Sequence, residues 1–296
     1  MQRVFIIFQI VNYMVSTTAT IESNTSNHDN DGLISQGKLF DIQEYPYLVY
    51  ILFRHSDDSL TRCTGSLISP LFVLTAAHCT DEVDPNNIIV HHYTNSNFKT
   101  KRYVEHLYQH KSYDKIEFTN DISILKLEYP FKRISRYVDL SGHPDEFNNA
   151  RSLNCTAIGY GINDNSENIE MLGYMTNLTM MYGYEMCSNG FLEKEYLIQV
   201  NYIFMIKINW SKLFCSKPSI HSACPGDSGG PLICNGKQYG VAGFMYNTDN
   251  NNLTCGNPRV RCGYLFVHFY RDWISNVILN TGSLIKLHNM LFNISH

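Results

Sequence analysis

Charge is scarce in this chain. Only 17% of its 296 residues are charged, 23 basic against 27 acidic, for a formal net charge of −4. No block of Lys and Arg occurs. Clustered cations are what hold a phosphate backbone, so nucleic acid is not an expected partner. No apolar run reaches the roughly 18 residues of a membrane-spanning helix. None of the nine cysteines sits in a Cys-x-x-Cys pair, which argues against a zinc ribbon or a thioredoxin-like motif. No segment repeats at a short fixed period. What is abundant is apolar material, 44% of the chain. That is enough for packed cores and argues against intrinsic disorder. The length suggests about two domains.

The N-terminus addresses the compartment. Met1-Gln2-Arg3 gives a positive start, Val4 to Val15 is mostly apolar, and small residues follow at Thr17, Thr18 and Ala19. This reads as a secretory signal over 1–19, cleaved near Ala19. Residues 20–33, polar and rich in Asn, Ser and Asp, read as a leader. Glycosylation sequons fit secretion: Asn24, Asn177, Asn209, Asn252 and Asn293. A sixth, Asn154, abuts Cys155 and is set aside as too buried to modify. In an oxidising compartment the cysteines should form disulfides.

Strand-length runs punctuated by turns come next: Tyr47–Phe53, Gly65–Ile68, Phe72–Leu74, Ile88–His91 and Ile122–Leu127, then Ala157–Tyr160, Leu232–Cys234, Gln238–Phe244 and Gly263–Val267. Many short strands of this kind point to a sandwich or barrels, not to alternating strands and helices. One helix is expected near the end. Phe269, Trp273, Ile274, Val277 and Ile278 share a helical face.

Three segments carry chemistry: Leu74-Thr75-Ala76-Ala77-His78-Cys79, Thr119-Asn120-Asp121-Ile122-Ser123, and Gly226-Asp227-Ser228-Gly229-Gly230-Pro231. Together, in the order His, Asp, Ser, they resemble the chymotrypsin/trypsin family of serine proteases. The resemblance implies an all-β fold: two packed six-stranded antiparallel β-barrels with a C-terminal α-helix. Barrel one would cover about 34–145, barrel two about 146–267 and the helix about 268–280. The peptidase domain would end near 281, with a tail over 282–296. It also implies a triad, because a serine hydroxyl attacks an acyl carbon only when a base removes its proton. His78 would be that base and Asp121 would hold the imidazole. The Gly226 and Ser228 N–H groups would form the oxyanion hole, each such donor being worth roughly 10²–10³ in turnover. Activation would free Ile34, whose ammonium would pair with Asp227. Leu33, where Arg or Lys is usual, departs from the pattern. The implied disulfides are Cys63–Cys79, Cys155–Cys234, Cys187–Cys215 and Cys224–Cys255, leaving Cys262.

The specificity pocket departs from the family. Ser222 falls at the base where trypsin-like enzymes carry Asp, so tryptic cleavage is not expected. Met245 and Cys262 replace wall glycines and leave the pocket either shallow, for small aliphatic residues, or plugged. Gly243 replaces a serine that usually supports the catalytic Asp. The implied function is a secreted, non-tryptic serine endopeptidase, of small-aliphatic or chymotrypsin-like specificity, acting through an acyl-enzyme. A weakened or inactive homologue serving as a regulatory binding protein is the alternative, and an esterase shares the same triad. Expected partners are a protein or peptide substrate and a protease inhibitor, with the chain a monomer. No cofactor or metal is expected: His91-His92 and His106/His110 read as surface histidines. The apolar stretch Val200 to Trp210 reads as an interaction surface, a membrane-touching loop or a retained intron.

Overall fold

The computed structural model describes residues 34–281 except 36, 56, 94–98, 118, 162–172, 189–209 and 248–253. The signal and leader segments, the C-terminal tail, Asn24, Asn209, Asn252, Asn293 and nearly all of the apolar stretch from Val200 lie outside the described residues.

Two barrels form. The first closes in the order β2 (Leu48–Arg54), β3 (Leu60–Leu67), β4 (Phe72–Thr75), β7 (Ser123–Leu127), β6 (Lys99–Gln109) and β5 (Ile88–Tyr93). All of its ladders are antiparallel. The second runs β9 (Tyr174–Tyr182), β10 (Leu213–Ser216), β13 (Val260–Phe266), β12 (Lys237–Asn247), β11 (Pro231–Cys234) and β8 (Leu153–Gly159). Pairing of β8 with β9 closes it. Closure removes the free edges that an open sheet would expose to aggregation. The short β1 (Lys38–Leu39) opens the described chain yet adds outside the second barrel, on β9.

Local sequence explains much of this. Asn235-Gly236 joins β11 to β12, and both residues take positive φ, 52° and 74°. A two-residue turn with that geometry matches the strand twist, and Asn-Gly is the pair that tolerates it. Strands β6, β9 and β10 were not among the expected runs. In β6, Lys101, Tyr103 and Glu105 are exposed, so its sequence reads as a polar loop until β5 and β7 supply partners on either side.

The barrels pack through aromatic rings. Tyr160, after β8, meets Tyr50 of β2 at 6.0 Å and Tyr93 of β5 at 5.8 Å between ring centres. Barrel two is filled by Phe147, Phe214 and Phe266, the last two rings 4.0 Å apart. A short helix, α1 (Tyr184–Ser188), follows β9. The C-terminal helix, α2 (Arg271–Asn280), follows a 3₁₀ turn at Val267–Tyr270. Its Ile274 is buried, and Trp273, Val277 and Ile278 pack on the core that fills barrel one and extends into barrel two. Trp273 lies 5.2 Å from the His110 ring. The helix thus leaves barrel two and closes back on barrel one. Phe269 stays in the 3₁₀ turn and is exposed.

All four expected disulfides are present: Cys63–Cys79, Cys155–Cys234, Cys187–Cys215 and Cys224–Cys255. Cys262 is free and buried. One expectation is corrected. His91 and His92 are not surface residues but are buried in barrel one. His92 Nε2 lies 2.9 Å from the Pro46 carbonyl oxygen, and burial holds its pKa below the usual imidazole value. An imidazole in such a place is used for packing. His106 is exposed and His110 is half-buried.

Candidate active site

His78 sits in the loop that leaves β4. Ala76 and Ala77 before it are fully buried, so only small side chains fit there. The Cys63–Cys79 bridge ties the loop to β3. Asp121 precedes β7 and is itself buried. Asn120 before it turns the chain with a φ of 50°, a left-handed conformation that Asn tolerates better than most residues. The His78 backbone N–H donates to Asp121 Oδ1 at 2.7 Å, and His78 Nδ1 lies 2.7 Å from Oδ2. Both carboxylate oxygens therefore grip one histidine, which fixes where its ring points. Burial opposes charge on the imidazole. The Asp121 carboxylate and its hydrogen bond, with help from Asp81, outweigh it and raise the pKa above the ordinary 6.5.

Among the described residues Asp121 accepts hydrogen bonds from His78 alone. A Cβ built at Gly243 would stand 3.7 Å from Asp121 Oδ2. A hydroxyl there would be within reach, and glycine supplies none. Support comes instead through Asn120. Its Oδ1 accepts from Lys212 Nζ at 3.0 Å and Tyr270 Oη at 3.1 Å, and its Nδ2 donates to Ser112 O at 2.8 Å. This hub joins barrel two, the entry to α2 and a barrel-one loop beside Asp121. Asn120 is visible in its motif, but no sequence signal points to Lys212 or Tyr270, which lie 92 and 150 positions away.

Ser228 lies on the loop between Cys224 and β11. Asp227 O accepts the Gly230 N–H at 2.8 Å. Across a trans peptide the N–H points opposite to the C=O, so the Ser228 N–H is aimed away from Gly230. Neither that N–H nor the N–H of Gly226 has an acceptor among the described residues. Two adjacent unpaired donors suit an oxyanion. Thr64 of β3 braces the loop from behind: its N–H donates to Ser228 O at 2.8 Å and its Oγ1 to Gly226 O at 3.0 Å. Thr64 was not singled out in the sequence, since a threonine in a strand carries no mark of this role. Gly229 has a φ of 78°, and a Cβ there would collide with Thr75 Oγ1 and Thr64 O. That close approach sets the Ser228 loop against Thr75 and Ala76, just before His78. Ser228, next to Gly229, thus lies close to the segment that leads into His78. No hydrogen bond joins the Ser228 hydroxyl to His78 among the described residues. His78 Nε2 lies 3.7 Å from Cys79 Sγ.

Beside Ser228 is a cavity of about 30 Å³, lined in part by Gly243, Phe244, Met245 and Cys262. Met245 and Cys262 face each other across β12 and β13, so their side chains project to the same side. Ser222 does not line the cavity. It is fully buried and its hydroxyl accepts Gly256 N–H at 3.0 Å. Cys262 lines the cavity, and its Sγ accepts Ala223 N–H at 3.2 Å. Burial pushes this thiol up to about 11, so it stays protonated and unreactive. Cys63, His78 and Cys79 are close enough together to suggest a metal site. The two cysteines are joined as a disulfide and offer no thiolate.

Ile34 is fully buried, and Ser35 N–H donates to Ser222 O at 3.2 Å. Asp227 is buried nearby. Gly161 N–H donates to its Oδ1 and Cys224 N–H to its Oδ2, each at 2.8 Å. Burial nevertheless dominates over these bonds and pushes the carboxyl up to about 7. No cation pairs with it among the described residues.

A family model described as Trypsin matches residues 34–274. A thrombin-like enzyme of the snake Protobothrops elegans, elegaxobin-2, is 27% identical over 83% of this chain and 97% of its own length. Inactive snake venom serine proteinase 13 of Crotalus adamanteus is 28% identical over 83% of this chain and 86% of its own. Among solved structures, scabies mite inactivated protease paralogue S-I1 aligns with a TM-score of 0.62 and 22% identity, over 83% of this chain and 99% of its own. At that identity the likeness speaks for the fold alone.

Proposed function

The chain belongs to the trypsin family of serine proteases, and on that premise we propose that it is a secreted serine endopeptidase of non-tryptic specificity. The observation that carries this reading is the doubly bonded His78–Asp121 pair, with the Ser228 loop packed against the segment that leads into His78. In the reaction, His78 takes the Ser228 proton as Oγ attacks the substrate carbonyl. Asp121 holds the tautomer and stabilises the imidazolium, and the freed N–H groups of Gly226 and Ser228 bind the oxyanion. The protonated His78 then gives its proton to the leaving amine. Water repeats the sequence on the acyl-enzyme.

Met245 and Cys262, lining the cavity beside Ser228 where glycines would leave it open, support a small aliphatic residue before the scissile bond. Four disulfides fit an oxidising, extracellular compartment. The buried Ile34 and the unpaired Asp227 fit a zymogen activated at Leu33–Ile34. Expected partners are a protein or peptide substrate and a protease inhibitor, with the chain acting as a monomer.

A second reading, an inactive homologue with a binding role, is favoured by one specific site: Gly243 leaves Asp121 without a donor beyond His78, beside a cavity walled by Met245 and Cys262. A fluorophosphonate probe on the Ile34-started chain separates the two. Labelling that is lost in Ser228→Ala supports the peptidase. Folded protein that does not label overturns it and leaves the binding role.

A further inference from the structure

The sequence sets Asn154 aside as buried, but the structure exposes it. Asn154 lies on β8 and Asn177 on β9, and both side chains are on the outer face of barrel two. The residues between them in each strand, Cys155 and Leu178, point inward and are buried. In the antiparallel register Asn154 stands opposite Thr179, and Asn177 opposite Thr156. Each sequon's threonine therefore faces the other sequon's asparagine. Thr179 Oγ1 donates to Asn154 Oδ1 at 3.2 Å, and Thr156 Oγ1 donates to Asn177 Oδ1 at 3.2 Å.

We infer that Asn154 is a glycan acceptor alongside Asn177, so that the β8–β9 face carries two N-linked sugars. The reciprocal bonds use only the oxygens. Each Nδ2, the atom that takes a sugar, has no partner among the described residues. A glycosylated asparagine keeps Oδ1, so both cross-strand bonds survive modification. Diagonal neighbours on a sheet face lie about 7–8 Å apart, and both chains leave the barrel in the same direction. The step is transfer of an oligosaccharide from a lipid-linked pyrophosphate donor. The sugar C1–O bond breaks, a C1–Nδ2 bond forms, the amide nitrogen loses one proton, and the lipid pyrophosphate leaves. The pair covers the outer face of these two strands and closes it to a protein partner. This inference rests on the proposed secretion.

The test is site mapping on the full chain made in a eukaryotic secretory host. Peptide-N-glycosidase in heavy-oxygen water converts each occupied Asn to labelled Asp. Label at both Asn154 and Asn177 is expected, and Asn154→Gln should lower the apparent mass by one glycan. Label at Asn177 without Asn154 overturns the inference and leaves secretion standing. Label at no sequon overturns the inference, and failure of the chain to reach the culture medium overturns the proposed secretion. Sugar is added before folding, so mapping the unmutated chain decides the matter even if Asn154→Gln folds poorly.

Discussion

The buried Asp227 carboxyl should make the uncleaved chain lose stability as pH rises. Its ordinary pKa is 3.8, and in the folded chain burial lifts it to about 7. Between these values the native state holds a proton that the unfolded state has lost. Stability therefore falls with pH across this window: it is fully present below about 4 and lost above about 7. At ~1.36 kcal/mol per pH unit of displacement, the contribution is ~4 kcal/mol. The perturbation is Asp227→Asn. An amide cannot ionise, but its NH₂ faces one of the two N–H groups, of Gly161 or Cys224, that the carboxyl oxygens accept from, which adds a cost independent of pH. The informative quantity is consequently the slope. Urea unfolding of the disulfide-intact, uncleaved chain, followed by circular dichroism from pH 4 to pH 8, should show a decline steeper by most of that ~4 kcal/mol than the decline of Asp227→Asn. Cleaving at Leu33–Ile34, through an introduced Leu33→Arg and trypsin, supplies an ammonium to pair with the carboxylate and should remove the excess slope. Parallel curves for the uncleaved chain and its Asp227→Asn variant would refute the reasoning.

Two further outcomes follow from the site. Gly243→Ser places a hydroxyl within reach of Asp121 Oδ2. A hydrogen bond to a charged group is worth roughly 1.5–3 kcal/mol, so ester hydrolysis by the activated chain should rise about tenfold or more in kcat/KM; an unchanged or lower rate contradicts the missing-donor account. Met245→Gly combined with Cys262→Gly should open the cavity, and a peptide library should then show a shift toward large aromatic residues before the cleaved bond. Persistence of small-residue preference would show that other walls set the depth.

The three motifs were legible because each is a loop whose local demands are written in contiguous residues. Small alanines precede His78, an asparagine able to take positive φ precedes Asp121, and glycines surround Ser228. Four disulfides were expected from the resemblance and are the four that form. The Asn235-Gly236 turn likewise declares itself, since its two positive φ values restrict which residues can stand there.

Other features depend on which segments meet in space. Thr64 braces the Ser228 loop only because β3 passes behind it; Tyr270 reaches Asn120 from the entry to α2, and Lys212 from the turn before β10 of barrel two. Strand β6 is a strand because β5 and β7 offer their backbone groups, not because its charged sequence prefers extension. His91 and His92 look like surface residues by type and are buried by position. Asn154 looks buried beside a cysteine, yet alternation along β8 turns the two neighbours to opposite faces. Cys262 lines the cavity beside Ser228 because the register of β12 with β13 sets it opposite Met245. The chain's own order of residues determined the chemistry available and the turns that carry it. Tertiary packing decided exposure, cavity depth and the partners that hold each group, because those depend on distances between residues that no local spacing encodes.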